Sequence, residues 1–225
     1  DNFGLQGTMH SHPELLDFLA LKFTNDNWSI KSMIKQIMLS TTFQKSTIEN
    51  PANEGIDPNN MYLHHFPVRR LEAEAIRDGI LAVSKQLNLK MYGPSVAIHL
   101  TPFMTGRGKP SESGPLDGFG RRSIYTKIRR NFLPPMMLVF DMPIPFSTFG
   151  KRNVTNVPAQ SLTLMNDPLV HDQAQKWALS ICSTQSSFEA AIENVYISAF
   201  ARRPTSEEIN HTREFFVNWA EQHNQ

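Results

Sequence analysis

Residues 121–168 read RRSIYTKIRRNFLPPMMLVFDMPIPFSTFGKRNVTNVPAQSLTLMNDP, and no regular element can run through all of them. Proline lacks a backbone donor and clashes with the preceding helical turn. Pro134, Pro135, Pro143, Pro145, Pro158 and Pro168 therefore punctuate the segment, each opening an element or keeping the chain irregular. The same stretch is basic. Between Arg121 and Arg152 seven Lys/Arg face a single acid, Asp141, a local charge of +6 in a chain whose total is +1. The remainder must therefore be acidic, and the positive charge sits among Pro and Phe residues that favour an ordered segment over a solvated tail.

The flanking sequence is mostly helical. Ser11 and Glu14 have capping-box spacing, Pro13 suits a first turn, and Leu15, Leu16, Leu19 and Phe23 follow at helical intervals. Ser29 opens a second helix with Ile30, Met33, Ile34, Ile37 and Met38 on one face, and Asn25-Asp26-Asn27 makes the turn between them. Residues 46–60 read as a polar surface loop. A third helix over 71–87 places Ile76, Ile80, Val83 and Leu87 on an apolar stripe, with Glu72 on that stripe and Arg69 near it. Val96–Leu100 and Arg122–Ile128 are β-prone and could pair. Pro134-Pro135 opens a short helix ending near Phe140. Pro158 and Pro168 fit first helical positions, Asp167 caps the second of these helices, and Phe188–Phe200 forms another. Thr205 and Glu208 make a further capping box, with Ile209, Phe216 and Trp219 facing inward on the last helix.

The expected fold is mainly α: a helical domain with a small central β element and long ordered loops rich in Pro and Gly. With 225 residues, 40% hydrophobic and 19% charged, it reads as one domain over 1–225. Helices are expected at 11–45 and 69–88, an irregular and β centre at 89–157, and helices again at 158–222. Starting on Asp, it reads as a fragment of a larger protein. Its longest apolar runs, such as PPMMLVF at 134–140, are too short to cross a bilayer. The single Cys182 excludes a disulfide framework and any CxxC or CxxCH motif.

Two sets of residues could carry chemistry. A carboxylate buried alone is costly, so Glu72 must be paired or protonated; it is the candidate acid or base, with Arg69 as its local partner. Arg121, Arg122, Arg129 and Arg130 flank Tyr125, and Arg152-Asn153 lies further along. Guanidinium forks bind carboxylate, sulfate or phosphate, so these residues form a candidate anion-binding face. The alternative is that the same arginines tie irregular loops to Glu72, Glu74, Asp78 and Asp141. His64-His65 has no Asp, Glu or Cys at metal-motif spacing, and the spacing of His10 and His12 is only slightly better; no metal site is expected.

DNFGLQG, SHPELLDFLALKF, NWSIKSMIKQIMLSTTFQKS, DPNN, RRLEAEAIRDGILAVSKQLN, GPSV, RRSIYTKIRRN, FDMPIPFSTFGKRNVTNVPAQSLTLMNDP and YISAFARRPTSEE occur in order over almost the whole chain. In this it resembles a domain of unknown function, numbered fifteen fifty-three and also called planctomycete-specific, known chiefly from Planctomycetes and related bacteria. The resemblance implies a C-terminal position in exported, extracytoplasmic proteins. These often carry an upstream partner domain and a cytochrome c module. It places haem c only in an upstream domain, no cofactor in this chain, and assigns no catalytic residue. Two readings follow, and neither fixes a reaction. One is a module of an exported, cytochrome-linked protein that binds or processes anionic or polysaccharide material through the arginine cluster. The other is a non-catalytic scaffold that docks a partner domain or a carbohydrate. Nucleic acid is not expected as a partner, because the charge is local and no recognised module is present.

Overall fold

Capping chemistry sets most of the helix boundaries in the computed structural model, which describes residues 5–7, 9–146, 148, 150–184 and 187–223. The chain divides into two compact units, Asp1–Arg70 and Leu71–Gln225. Among the described residues it is mainly α, and no helix is long and apolar enough to cross a membrane.

The first unit holds α1 (Pro13–Asn25), α2 (Ile30–Met38) and the four-residue α3 (Pro51–Glu54). Ser29 caps α2 as expected, accepting the Ser32 N–H. The capping box expected at Ser11 is absent. His12 takes the N-cap of α1, while Ser11 Oγ bonds the His12 ring at 2.8 Å. The Asn25–Asn27 turn is closed by Asp26, which accepts from Lys22 Nζ and from Ser32 Oγ and so ties the end of α1 to the start of α2. Of the described residues in this unit only Asp57 is buried. The apolar face of α2, with Ile30, Ile34, Ile37 and Met38, is exposed.

The second unit contains α4 (Ala73–Val83), α5 (Pro135–Val139), α6 (Pro158–Asn166), α7 (Pro168–Cys182), α8 (Phe188–Phe200) and α9 (Ser206–His223). Prolines stand in the first turns of α5, α6 and α7, and Asp167 caps α7 through the Leu169 N–H. The Thr205–Glu208 capping box forms in both directions. The core lies where α4, α5 and α7 meet, around Ala73, Met136, Met137, Phe140 and Leu169. A short polar link joins α4 to α7: Ser84 Oγ donates to Gln173 Oε1 at 2.6 Å, both residues buried. Phe216 and Trp219, expected to face inward, are half-exposed.

The central β element is smaller than expected. Val96–Leu100 and Arg122–Ile128 do meet, but through one parallel bridge, Val96↔Thr126; Asn88↔Arg121 makes a second. The reason is local. Asp78 on α4 accepts both the N–H and the Oγ–H of Ser123 at 2.7 Å, and this bends Ser123–Tyr125 into a 3-10 turn where a strand was expected.

Candidate functional site

The residue at the centre of the second unit is Arg77. Ala73, Arg77 and Leu81 are the buried residues of α4, one helical face at i, i+4 and i+8. Arg77 therefore points inward, toward the chain segment that runs through Asp117, Arg121 and Ser123. Its Nη1 donates to the Arg121 carbonyl at 3.0 Å and to Ser123 Oγ at 3.1 Å, and lies 3.4 Å from Asp78. Its Nη2 donates to the Asp117 carbonyl at 2.6 Å. Burial pulls the guanidinium below its ordinary pKa, and Asp78 and Asp117 oppose that pull. Gly118 and Gly120 bracket this hub at φ of +63° and +67°, where L side chains are strained, and a Cβ at Gly118 would meet Arg77 Nη2 at 2.7 Å.

The expected position of Glu72 is corrected. It is the N-cap of α4, half outside the helix, and its side chain is 63% exposed. The charged group that shares the apolar face is Arg77. Glu72 is paired at 3.5 Å with Arg152, which also grips Glu74 through two bonds of 2.7 and 3.2 Å. Burial raises the Glu74 pKa, but the bonds from Arg152 outweigh it and hold the carboxyl below its ordinary range. The same bonds raise Arg152. Arg69 is exposed and belongs to the first unit.

Arg121 and Arg122 gather on Tyr125. The Arg121 guanidinium lies 4.0 Å from the ring centroid and donates to the Tyr92 carbonyl at 2.8 Å; that of Arg122 lies 5.8 Å from the centroid. The Tyr125 hydroxyl accepts the Tyr92 N–H at 2.8 Å, which together with the two arginines lowers its pKa against the opposing effect of burial. Arg129 and Arg130 are exposed and take no part in these pairs; Arg129 lines a hollow of about 250 Å³ with Lys127 and Glu112. Asn153 is exposed beside a hollow of about 370 Å³.

Of the residues singled out from sequence, Glu72, Arg122 and Arg152 are brought together around a hollow of about 550 Å³. Its charged lining is three carboxylates, Glu72, Glu74 and Asp78, against two guanidiniums, so it has no net attraction for an anion. A second cavity, of about 540 Å³, is apolar, with Ile98, Phe103, Leu116, Met136, Met137 and Leu169 among its walls. Three of its polar side chains are engaged: Arg77 as above, Asp167 in capping α7, and His99 through Nδ1 with the Gly114 carbonyl at 3.1 Å. Such a space suits an apolar group. The hub residues Arg77, Asp117 and Ser123 were not among the sequence candidates; the signal for Arg77 was its place between Ala73 and Leu81 at i±4.

No curated protein and no solved structure matches the chain. A family model does, described as PSD1, protein of unknown function (DUF1553), over residues 1–216. The chain therefore belongs to the DUF1553 family.

Proposed function

We propose that this chain is a non-catalytic docking module, in which the arginine cluster builds the fold and the apolar cavity receives an apolar element of a partner domain. The observation that carries this reading is the state of the cations. Arg77 is bonded on both Nη atoms, Arg152 is held by Glu74 and Glu72, and Arg121 is held through Nη2 by the Tyr92 carbonyl with its guanidinium over the Tyr125 ring. A substrate-binding arginine has to keep its fork free for the ligand. The cavity, by contrast, is open to an apolar group, and Phe103 stands at its wall 92% exposed.

The family resemblance supplies the setting for this proposal: an exported, extracytoplasmic bacterial protein in which an upstream domain and a cytochrome c module share the polypeptide. The docked partner is then that upstream domain. Haem would belong to the cytochrome module.

The test is a titration of this chain with the separately produced upstream polypeptide. Phe103→Asp leaves the core untouched, because the side chain is already in solvent, and should weaken association at least about tenfold, as loss of an aromatic anchor does. No association with the wild-type chain, or equal affinity for the variant, would overturn the reading.

The exposed cations Lys127, Arg129 and Arg130 favour a second reading, capture of sulfated or uronic-acid polysaccharide. Binding of such oligosaccharides that falls with rising salt and is lost in Arg129→Ala/Arg130→Ala would support it.

A further inference from the structure

His64 and His65 stand in the loop after α3, and the backbone around them is fixed by hydrogen bonds. Asp57 accepts the Met61 and Tyr62 N–H groups at 2.8 and 2.7 Å. Asn60 bonds the His65 main chain in both directions, and Lys45 Nζ donates to the Leu63 carbonyl. Asn60 and Leu63 adopt φ of +51° and +55°, and these turns bring two adjacent side chains to one side of the loop. The rings meet edge to face, 4.5 Å between centroids, and the two Nδ1 atoms are 3.2 Å apart.

The outer nitrogen of His64 decides what its Nδ1 is. His64 Nε2 meets the Asp57 carbonyl at 3.1 Å. A carbonyl only accepts, so Nε2 carries the hydrogen and Nδ1 of the neutral ring is a bare lone pair. His65 Nε2 lies 3.9 Å from the Glu49 carboxylate, beyond hydrogen-bond reach. At 3.2 Å from His65 Nδ1, the His64 lone pair calls for a donor or a cation. A neutral His65 carrying its hydrogen on Nδ1 can donate to it. A metal ion can take the same place when the His65 hydrogen is on Nε2 and both Nδ1 atoms are bare. Two imidazole nitrogens bound at about 2.05 Å in tetrahedral geometry stand about 3.3 Å apart, close to the separation present here.

We propose that His64 and His65, through Nδ1, and Glu54, through its carboxylate, form a binding site for a divalent transition-metal ion of the Zn²⁺ class. A carboxylate oxygen of Glu54 and one ring nitrogen of each histidine all lie within 4.8 Å of one another. No acid stands at motif spacing beside the histidines in the sequence; folding supplies Glu54 from the end of α3. Three protein ligands leave a fourth position open, and imidazole with carboxylate suits Zn²⁺, Fe²⁺ or Mn²⁺ more than Ca²⁺. The site lies wholly in the first unit and stands independently of the docking proposal.

The experiment is titration of the whole chain with Zn²⁺ by calorimetry and with Co²⁺ by visible absorption. The expected results are one equivalent bound at about 1 μM or tighter and a Co²⁺ band typical of a four-coordinate site. His64→Asn and His65→Asn should each weaken binding by at least about a hundredfold, Glu54→Gln by about tenfold or more, and Glu49→Gln by about tenfold. His10→Ala, at an exposed position outside the cluster, should change nothing. Circular dichroism of each variant reports folding. If a histidine variant does not fold, the Co²⁺ spectrum and Glu54→Gln decide, because Glu54 ends a short surface helix. No stoichiometric binding by the wild-type chain, or undiminished binding by the folded His64→Asn/His65→Asn variant, would overturn the proposal and leave a hydrogen bond between the rings.

Discussion

Replacing Arg77 by Met keeps most of the side chain's volume on the α4 face and removes its donors. Three bonds vanish: those to the Arg121 carbonyl, the Asp117 carbonyl and Ser123 Oγ, together with the 3.4 Å approach to Asp78. The Arg121 carbonyl loses its donor, at a cost of about 1–3 kcal/mol, while the Asp117 carbonyl keeps the Gly120 N–H at 3.1 Å. Breaking a buried charged pair by removing one partner costs about 3–5 kcal/mol in all. The arginine side chain is only 8% exposed, so water recovers little of this; Asp78 is 24% exposed and keeps both bonds from Ser123, which limits its share. The expected loss is therefore about 3–4 kcal/mol. Arg77→Lys keeps the charge but replaces a rigid fork with a point donor that cannot span Arg121, Asp117 and Ser123 together, and should lose about 2 kcal/mol. Arg130→Met, at an exposed site, should stay within about 0.5 kcal/mol of wild type. Urea unfolding followed by far-UV circular dichroism measures all three. A loss below about 1 kcal/mol for Arg77→Met, or one no larger than that for Arg130→Met, would refute the reasoning that this guanidinium is a structural hub.

Two further outcomes follow from the same geometry. At Gly120 a Cβ would run into the Gln86 carbonyl oxygen at φ +67°, so Gly120→Ala should cost on the order of 3 kcal/mol or more. Gly79→Ala, in α4 with nothing within 4 Å of the added carbon, should stabilise by about 0.5–1 kcal/mol; thermal melts of the pair check both. Glu208 is held at about 2, below its ordinary 4.5, by Arg202 and then by the Thr205 N–H. Its carboxylate is favoured in the folded chain, so its contribution to the start of α9 is full above about pH 4.5 and is lost as the pH falls through about 2. An NMR titration of Glu208 should give a midpoint near 2, moved upward in Arg202→Ala.

What could be read from sequence was set by residues close together in the chain. The caps at Ser29, Asp167 and Thr205–Glu208, and the prolines opening α5, α6 and α7, act within a few residues and appear where expected. Glu72 was misplaced because a helical projection holds only inside the helix, and α4 starts one residue later, at Ala73. The strand over Arg122–Ile128 fails because Asp78, forty-five positions from Ser123, bends the backbone there. Arg77 finds its partners forty to forty-six positions away, beyond any local pattern. The arginine cluster itself was legible as a charge anomaly. Its division into engaged members, Arg121 and Arg152, and solvated members, Arg129 and Arg130, was not, because that depends on which carboxylates and carbonyls folding brings near.

That division is the centre of the account, and chemical modification of arginine by phenylglyoxal, mapped residue by residue by mass spectrometry on the folded chain, tests it most directly. Arg129 and Arg130 should react at the rate of free arginine, while Arg77, Arg121 and Arg152 should lag and reach that rate only on unfolding. Equal, fast labelling of Arg121 and Arg152 in the folded chain would contradict the account and return the cluster to the role of an open anion site.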